Sequence, residues 1–121
     1  MVNSGYWFRS GLPRHPKHGL ADAGNHRRWV TGPYLAESFI EMIDESTTAV
    51  VISSVASHNG ARPALAAVRE ACTAVGATLV VDGTQSAGIM PPDVPVGDLD
   101  LFVCAGCKGL RGRGVRVCLR A

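Results

Sequence analysis

Apolar residues in this chain fall into two kinds of pattern. Residues 48–54, Thr48-Ala49-Val50-Val51-Ile52-Ser53-Ser54, form a continuous β-branched run, the pattern of a strand buried in a parallel sheet. Two further short runs follow, Ala77-Thr78-Leu79-Val80-Val81-Asp82 and Asp100-Leu101-Phe102-Val103-Cys104. Between the first two, Leu65, Val68, Cys72 and Val75 recur at helical spacing, which predicts a helix from Pro63 to about Val75. Proline suits a first turn because its missing N–H has no helical partner to lose there. Gly76 suits the stop, where a left-handed residue closes the helix. An earlier amphipathic helix is predicted over 34–45, with Leu35, Phe39, Met42 and Ile43 at helical spacing and Glu37, Glu41 and Asp44 elsewhere. Loop punctuation comes at Ser57-His58-Asn59-Gly60 and at Pro91, Pro92 and Pro95. The last segment, 114–119, carries Val115, Val117 and Leu119 and reads as one more strand, antiparallel to its neighbour.

Strand, helix, strand, loop, strand predicts an α/β fold: a mostly parallel sheet with flanking helices and a right-handed crossover. Residues 1–33 lack either period. They hold Arg14, His15, Lys17, His18, His26, Arg27 and Arg28, with Tyr6, Trp7, Phe8 and Trp29 as the large apolar side chains. The division predicted is an irregular basic N-terminal segment, 1–33, and one α/β domain, 34–121.

Composition narrows the class. A chain of 121 residues with 46% hydrophobic content suits one globular domain with a real core. A net charge of +2 gives no argument for a nucleic-acid partner. No apolar stretch has membrane-spanning length, and the first ten residues lack a continuous apolar core, so a soluble cytoplasmic chain is expected. Cys104 and Cys107 have C-x-x-C spacing, which admits zinc or redox chemistry as well as plain packing. Zinc needs two more ligands, and Cys72 and Cys118 form no second close pair. A redox pair prefers a helix start, whereas this pair leaves a strand.

Four polar residues fall at or just past predicted strand ends: Ser57, Asp82, Gln85 and Lys108. In open α/β sheets ligands sit beyond those carboxyl ends. Asp82 closes an apolar strand, and a carboxylate there needs a partner because an unpaired buried charge is costly. The plain reading of Asp82 is a turn or helix cap. Lys108 is one of only two lysines among the twelve Lys and Arg residues, so lysine is not the routine solubilising residue here; its plain reading is an exposed side chain. Gln85 has a plain reading as a polar loop residue, and Ser57 as part of a side-chain turn.

Taken together, Val81-Asp82-Gly83-Thr84-Gln85-Ser86-Ala87-Gly88 followed by Ala105-Gly106-Cys107-Lys108-Gly109-Leu110 resembles the cofactor floor of fold-type I pyridoxal-phosphate (PLP) enzymes. The wording is closest to the class V aminotransferase and cysteine desulfurase family, and the resemblance runs from about Val30 to Leu119. It implies a partial PLP-transferase-like large domain with PLP as cofactor. Asp82 would face the pyridine nitrogen and keep it protonated, since an opposite charge favours the cationic form. Lys108 would form the internal Schiff base and later carry a proton. Gln85 and Ser57 would donate to the phenolic oxygen. An amino-acid substrate and a homodimer, as in full-length relatives, are implied as well.

The resemblance also carries departures. Family members are several times longer, so it implies a truncated chain matching the middle of the large domain. The glycine-rich helix start for the phosphate, the ring-stacking side chain and the arginine for the substrate carboxylate would lie outside it. Ala105 and Cys107 stand where the family often has a serine or threonine and a histidine or tyrosine. Arg111-Gly112-Arg113-Gly114 replaces the usual proline-containing turn, and Arg111 or Arg113 is either a substitute phosphate ligand or part of a solvated basic turn. A desulfurase would need a mobile cysteine from a later segment, and none of the four matches one by position. Two other readings stand beside the enzyme: a non-catalytic remnant of the fold, and a small basic nucleic-acid-binding module built on Lys108, Arg111, Arg113, Arg116 and Arg120. That run lacks aromatics for base stacking.

Overall fold

Three five-residue strands lie side by side at the centre of the molecule: β3 (Ala49–Ser53), β4 (Thr78–Asp82) and β5 (Leu101–Ala105). In the computed structural model, which describes residues 2–3, 28–29, 34–57, 59–112 and 116–120, they belong to a six-stranded sheet. Two-residue strands β1 (Val2–Asn3) and β2 (Arg28–Trp29) extend one side, and β6 (Arg116–Arg120) the other. The order is β2-β1-β3-β4-β5-β6. All neighbours pair parallel except β5 and β6, which are antiparallel, as the last apolar segment predicts. The short strands β1 and β2 fall inside the segment read as irregular; the basic cluster from Arg14 to Arg27 lies outside the described residues.

Side chains alternate along the three central strands. Val50 and Ile52, Leu79 and Val81, and Phe102 and Cys104 are buried, while their neighbours are half-buried or exposed. Helix α2 (Leu65–Val75) lays Leu65, Val68 and Cys72 into the same cluster, and α1 (Ala36–Ile40) adds Ala36 and Phe39. Each fully buried aliphatic or aromatic side chain here contributes roughly 1.5–3 kcal/mol. At the opposite end from the candidate site, Asp100 Oδ2 pairs with Arg69 Nη1 of α2 at 2.5 Å and accepts the N–H of Leu79 at 2.7 Å, tying helix and strands together.

Two expectations are corrected. The helix predicted over 34–45 stops at Ile40, with Glu41 as its C-cap. Beyond it, Asp44 Oδ1 accepts the N–H of Ser46 at 2.9 Å, and Thr47 Oγ1 accepts the N–H of Asp44 at 3.0 Å. These local side-chain bonds offer the backbone an alternative to the helix. Leu35 precedes the helix in extended conformation and is 51% exposed. Pro63 likewise precedes α2 instead of opening it. Ala64 is the N-cap and has no side chain to cap with; Asp93 Oδ2 accepts the N–H of Leu65 at 3.0 Å across the loop. Gly76 ends α2 in the left-handed region (φ 72°), as its position predicts.

Candidate functional site

The register of the sheet sets the site. Ser53, Asp82 and Val103 are level across β3, β4 and β5; β3 and β4 end at that level, and β5 runs on two residues further, to Ala105. Each loop that leaves this edge carries a residue singled out in the sequence: Ser57 after β3, Gln85 after β4, Lys108 after β5. Ser57 and Lys108 are exposed, and Asp82 and Gln85 are half-buried.

Asp82 turns at once into a compact loop. Its Oδ1 accepts the N–H of Thr84 at 2.8 Å, while its other oxygen accepts nothing from the described residues. Gly83 donates its N–H to the Val103 carbonyl at 2.8 Å, and its own carbonyl accepts from Ser86 at 2.9 Å and Ala87 at 2.7 Å. A Cβ at 83 would overlap the Phe102 ring, so any larger residue requires that buried ring to move. The Gln85 amide makes no hydrogen bond to the described residues.

Beneath the turn sits a buried hydroxyl pair. Ser54 Oγ and Ser86 Oγ lie 2.7 Å apart, and the Ser54 N–H donates to the Asp82 carbonyl at 3.0 Å. Tyr34 closes the end of β3: its hydroxyl donates to the Ser53 carbonyl at 2.9 Å and accepts the Ser53 N–H at 2.7 Å. Sequence reading missed Ser54, Thr84, Ser86 and Tyr34. The available signal was hydroxyl residues beside strand ends, where unpaired backbone groups need partners.

The lysine loop closes on itself. Arg111 donates its N–H to the Lys108 carbonyl at 3.0 Å, and Gly112 donates to the Gly106 carbonyl at 2.6 Å. Arg111 holds φ at 51°, the left-handed region that costs a non-glycine residue energy. Gly109 packs so closely on the Ala87 carbonyl that a Cβ would overlap it. The Asp82 and Lys108 loops are thus fitted backbone against backbone. A cleft of about 340 Å³ is lined by Ser54, Arg62, Pro63, Ser86, Pro91 and Asp93 among others, and by none of Ser57, Asp82, Gln85 and Lys108.

The C-x-x-C pair divides between two environments. Cys104 is buried in the core and Cys107 is exposed. Among the described residues, no three His, Cys, Asp or Glu side chains gather to hold a metal ion. Burial pushes the thiol of Cys72 on α2 up from 9.0 to about 11; the nearby Arg69 lowers it and Asp100 raises it. Among the described residues, no helix is long and apolar enough to cross a membrane.

This sheet edge thus carries an acid at the end of β4, a glutamine in the turn that follows and a lysine in the loop after β5. Residues 29–119 match the aminotransferase class-V family, and the chain belongs to it. Solved structures agree on the fold. An alanine–glyoxylate aminotransferase from Nostoc sp. superposes with a TM-score of 0.68 at 23% identity, over 81% of this chain and 28% of that one. The cysteine desulfurase CsdA of Escherichia coli gives 0.66 at 23% identity, over 79% and 25%. A cysteine desulfurase from Thermococcus onnurineus gives 0.65 at 24% identity, over 78% and 24%. The chain therefore spans about a quarter of the length of these structures. Among curated proteins, none matches the sequence significantly.

Proposed function

We propose that this chain, in its 34–121 domain, carries the PLP-binding floor of a class V aminotransferase-type enzyme that acts on amino acids. One observation carries the reading: the level register of Ser53, Asp82 and Val103, which sends Ser57, Gln85 and Lys108 off the same sheet edge. The donor set suits the cofactor. Asp82 has a carboxylate oxygen with no partner among the described residues, fit to hold a proton on the ring nitrogen. The Gln85 amide and the Ser57 hydroxyl suit the phenolic oxygen. Lys108 supplies the amine for covalent attachment to the cofactor aldehyde and a base that moves a proton at the substrate carbon. When bound, PLP supplies an electron sink at that carbon.

The same reading includes a truncated relationship to the longer family members, a homodimer, and a cytoplasmic setting. One observation favours a second reading, a remnant that keeps the scaffold without the reaction: Ala105 and Cys107 offer neither hydroxyl nor imidazole to a phosphate next to Lys108. Positioning supplies much of an enzyme's rate, so a weakly held cofactor would leave little activity.

Borohydride trapping with PLP, followed by peptide mapping, separates the two. Lys17 is the internal control, since the chain has no third lysine. Selective labelling of Lys108 at low PLP supports the enzyme reading. Equal labelling of both lysines, or none, leaves only the scaffold.

A further inference from the structure

Asp82 and the Lys108 loop leave different strands, and one residue bonds to both. Thr84 donates its backbone N–H to Asp82 Oδ1 at 2.8 Å, and its Oγ1 accepts the N–H of Ala105 at 3.1 Å. Ala105 is the last residue of β5. By that point β4 has turned away at Gly83, whose N–H makes the last main-chain bond to β5, at Val103. The Ala105 amide therefore finds a side-chain oxygen where a neighbouring strand would have offered a carbonyl, and a partly buried amide without it would lose its partner.

The two bonds divide the work. The main-chain bond holds one oxygen of Asp82 against the turn and leaves the other for a ligand. The hydroxyl bond fixes the end of β5, from which the Gly106–Gly112 loop closure presents Lys108. A residue without a hydroxyl at position 84 keeps the first bond and loses the second. We infer that Thr84 is a positioning residue that couples the Asp82 carboxylate to the placement of the Lys108 loop. The inference rests on the reading of Asp82 and Lys108 as cofactor-facing groups, but the coupling is a property of the free chain and is measurable without PLP.

The experiment is a double-mutant cycle on the full chain, with Thr84→Val, Asp82→Ala, both together, and Thr84→Ser as the rescue. The first readout is hydrogen exchange at the Ala105 amide without cofactor, with the Val51 amide of β3 as reference. Thr84→Val is expected to speed Ala105 exchange about tenfold, the factor one neutral hydrogen bond represents, and Thr84→Ser to restore it. Asp82→Ala should speed it too, and the double variant should be no faster than the faster single one, the mark of a shared unit. The second readout is borohydride labelling, in which Thr84→Val should lose the preference for Lys108 over Lys17 and Thr84→Ser keep it.

Unchanged Ala105 exchange in Asp82→Ala, or effects that multiply independently, would overturn the coupling. Should Thr84→Val lose the fold by circular dichroism, Asp82→Ala decides alone: faster exchange at Ala105 with Val51 unchanged supports the relay, and equal change at both sinks it. Absence of selective Lys108 labelling in the unaltered chain would remove the PLP reading while the exchange cycle still decides the coupling.

Discussion

Ser54 Oγ and Ser86 Oγ face each other at 2.7 Å, with both residues almost fully buried, one just past the end of β3 and the other in the turn after β4. Each also lies 3.3 Å from a backbone carbonyl, Ser54 from Asp82 and Ser86 from Gly83. Ser86→Ala removes the short bond and leaves Ser54 its long contact alone. The expected loss is about 1–2 kcal/mol in urea denaturation. The Ser54→Ala/Ser86→Ala double variant should lose less than the sum of the singles, because the second substitution removes a hydroxyl already deprived of its partner.

Asp93 caps α2 from outside the helix, because Ala64 cannot do so. Asp93→Ala is expected to cost about 1 kcal/mol and to lower the melting temperature by roughly 3–6 °C. Asp93→Asn keeps an acceptor and should recover most of that loss. Equal melting temperatures for the unaltered chain and Asp93→Ala would show that the cap contributes nothing.

Gly109 is the point where the lysine loop touches the Ala87 carbonyl. In Gly109→Ala the new methyl meets backbone, so the loop itself has to move. The expected cost is about 1–3 kcal/mol. Selective PLP labelling of Lys108 should fall several-fold in a chain that still folds. Retained selectivity would show that the loop accommodates the methyl without displacing Lys108.

Cys72 gives the chain an alkaline limit. Its folded thiol titrates at about 11 against an ordinary 9.0, so the folded state holds the proton more tightly than the unfolded state does. This stabilisation is full below about pH 9 and is lost as pH rises toward about pH 11. The loss amounts to roughly 2–3 kcal/mol at most. Urea midpoints between pH 8 and pH 11 should fall in the unaltered chain, with a smaller fall in Cys72→Ala. At neutral pH, iodoacetamide should modify the exposed Cys107 and spare the buried Cys72 and Cys104.

The central elements were legible because each has a local cause. The β-branched run at 49–53, the spacing of Leu65, Val68 and Cys72, and Gly76 identify β3, α2 and its stop without reference to distant residues. Asp82 and Lys108 could be picked out because an acid closing an apolar run and a rare lysine in a glycine-rich loop break the local pattern. The first helix reads too long in the sequence because the apolar spacing continues through Met42 and Ile43, past the helix end at Ile40, whereas the Asp44 and Thr47 side chains take the backbone amides of Ser46 and Asp44. Strands β1 and β2 are two residues long, too short for any period to register. Thr84, Ser86 and Asp93 stayed hidden for another reason: their partners Ala105, Ser54 and Leu65 lie 21 to 32 residues away. A hydroxyl or carboxylate in a loop does not announce which distant amide or hydroxyl it will meet.

The antiparallel pairing of β5 with β6 has a consequence for how the lysine acquires its place. The parallel β3–β4 and β4–β5 junctions each need a crossover, the first through α2 and the second through residues 83–100. Lys108 instead rides on a hairpin, pinned by the Gly112-to-Gly106 bond. Hairpins close in microseconds from contacts near in sequence. Lys108 thus belongs to a local unit of the topology, while Asp82 belongs to its long-range part. The loops that carry them touch at the Ala87–Gly109 seam. A change in the length of the 106–115 connection would move the amine by whole residues and leave the acid's half of the sheet intact.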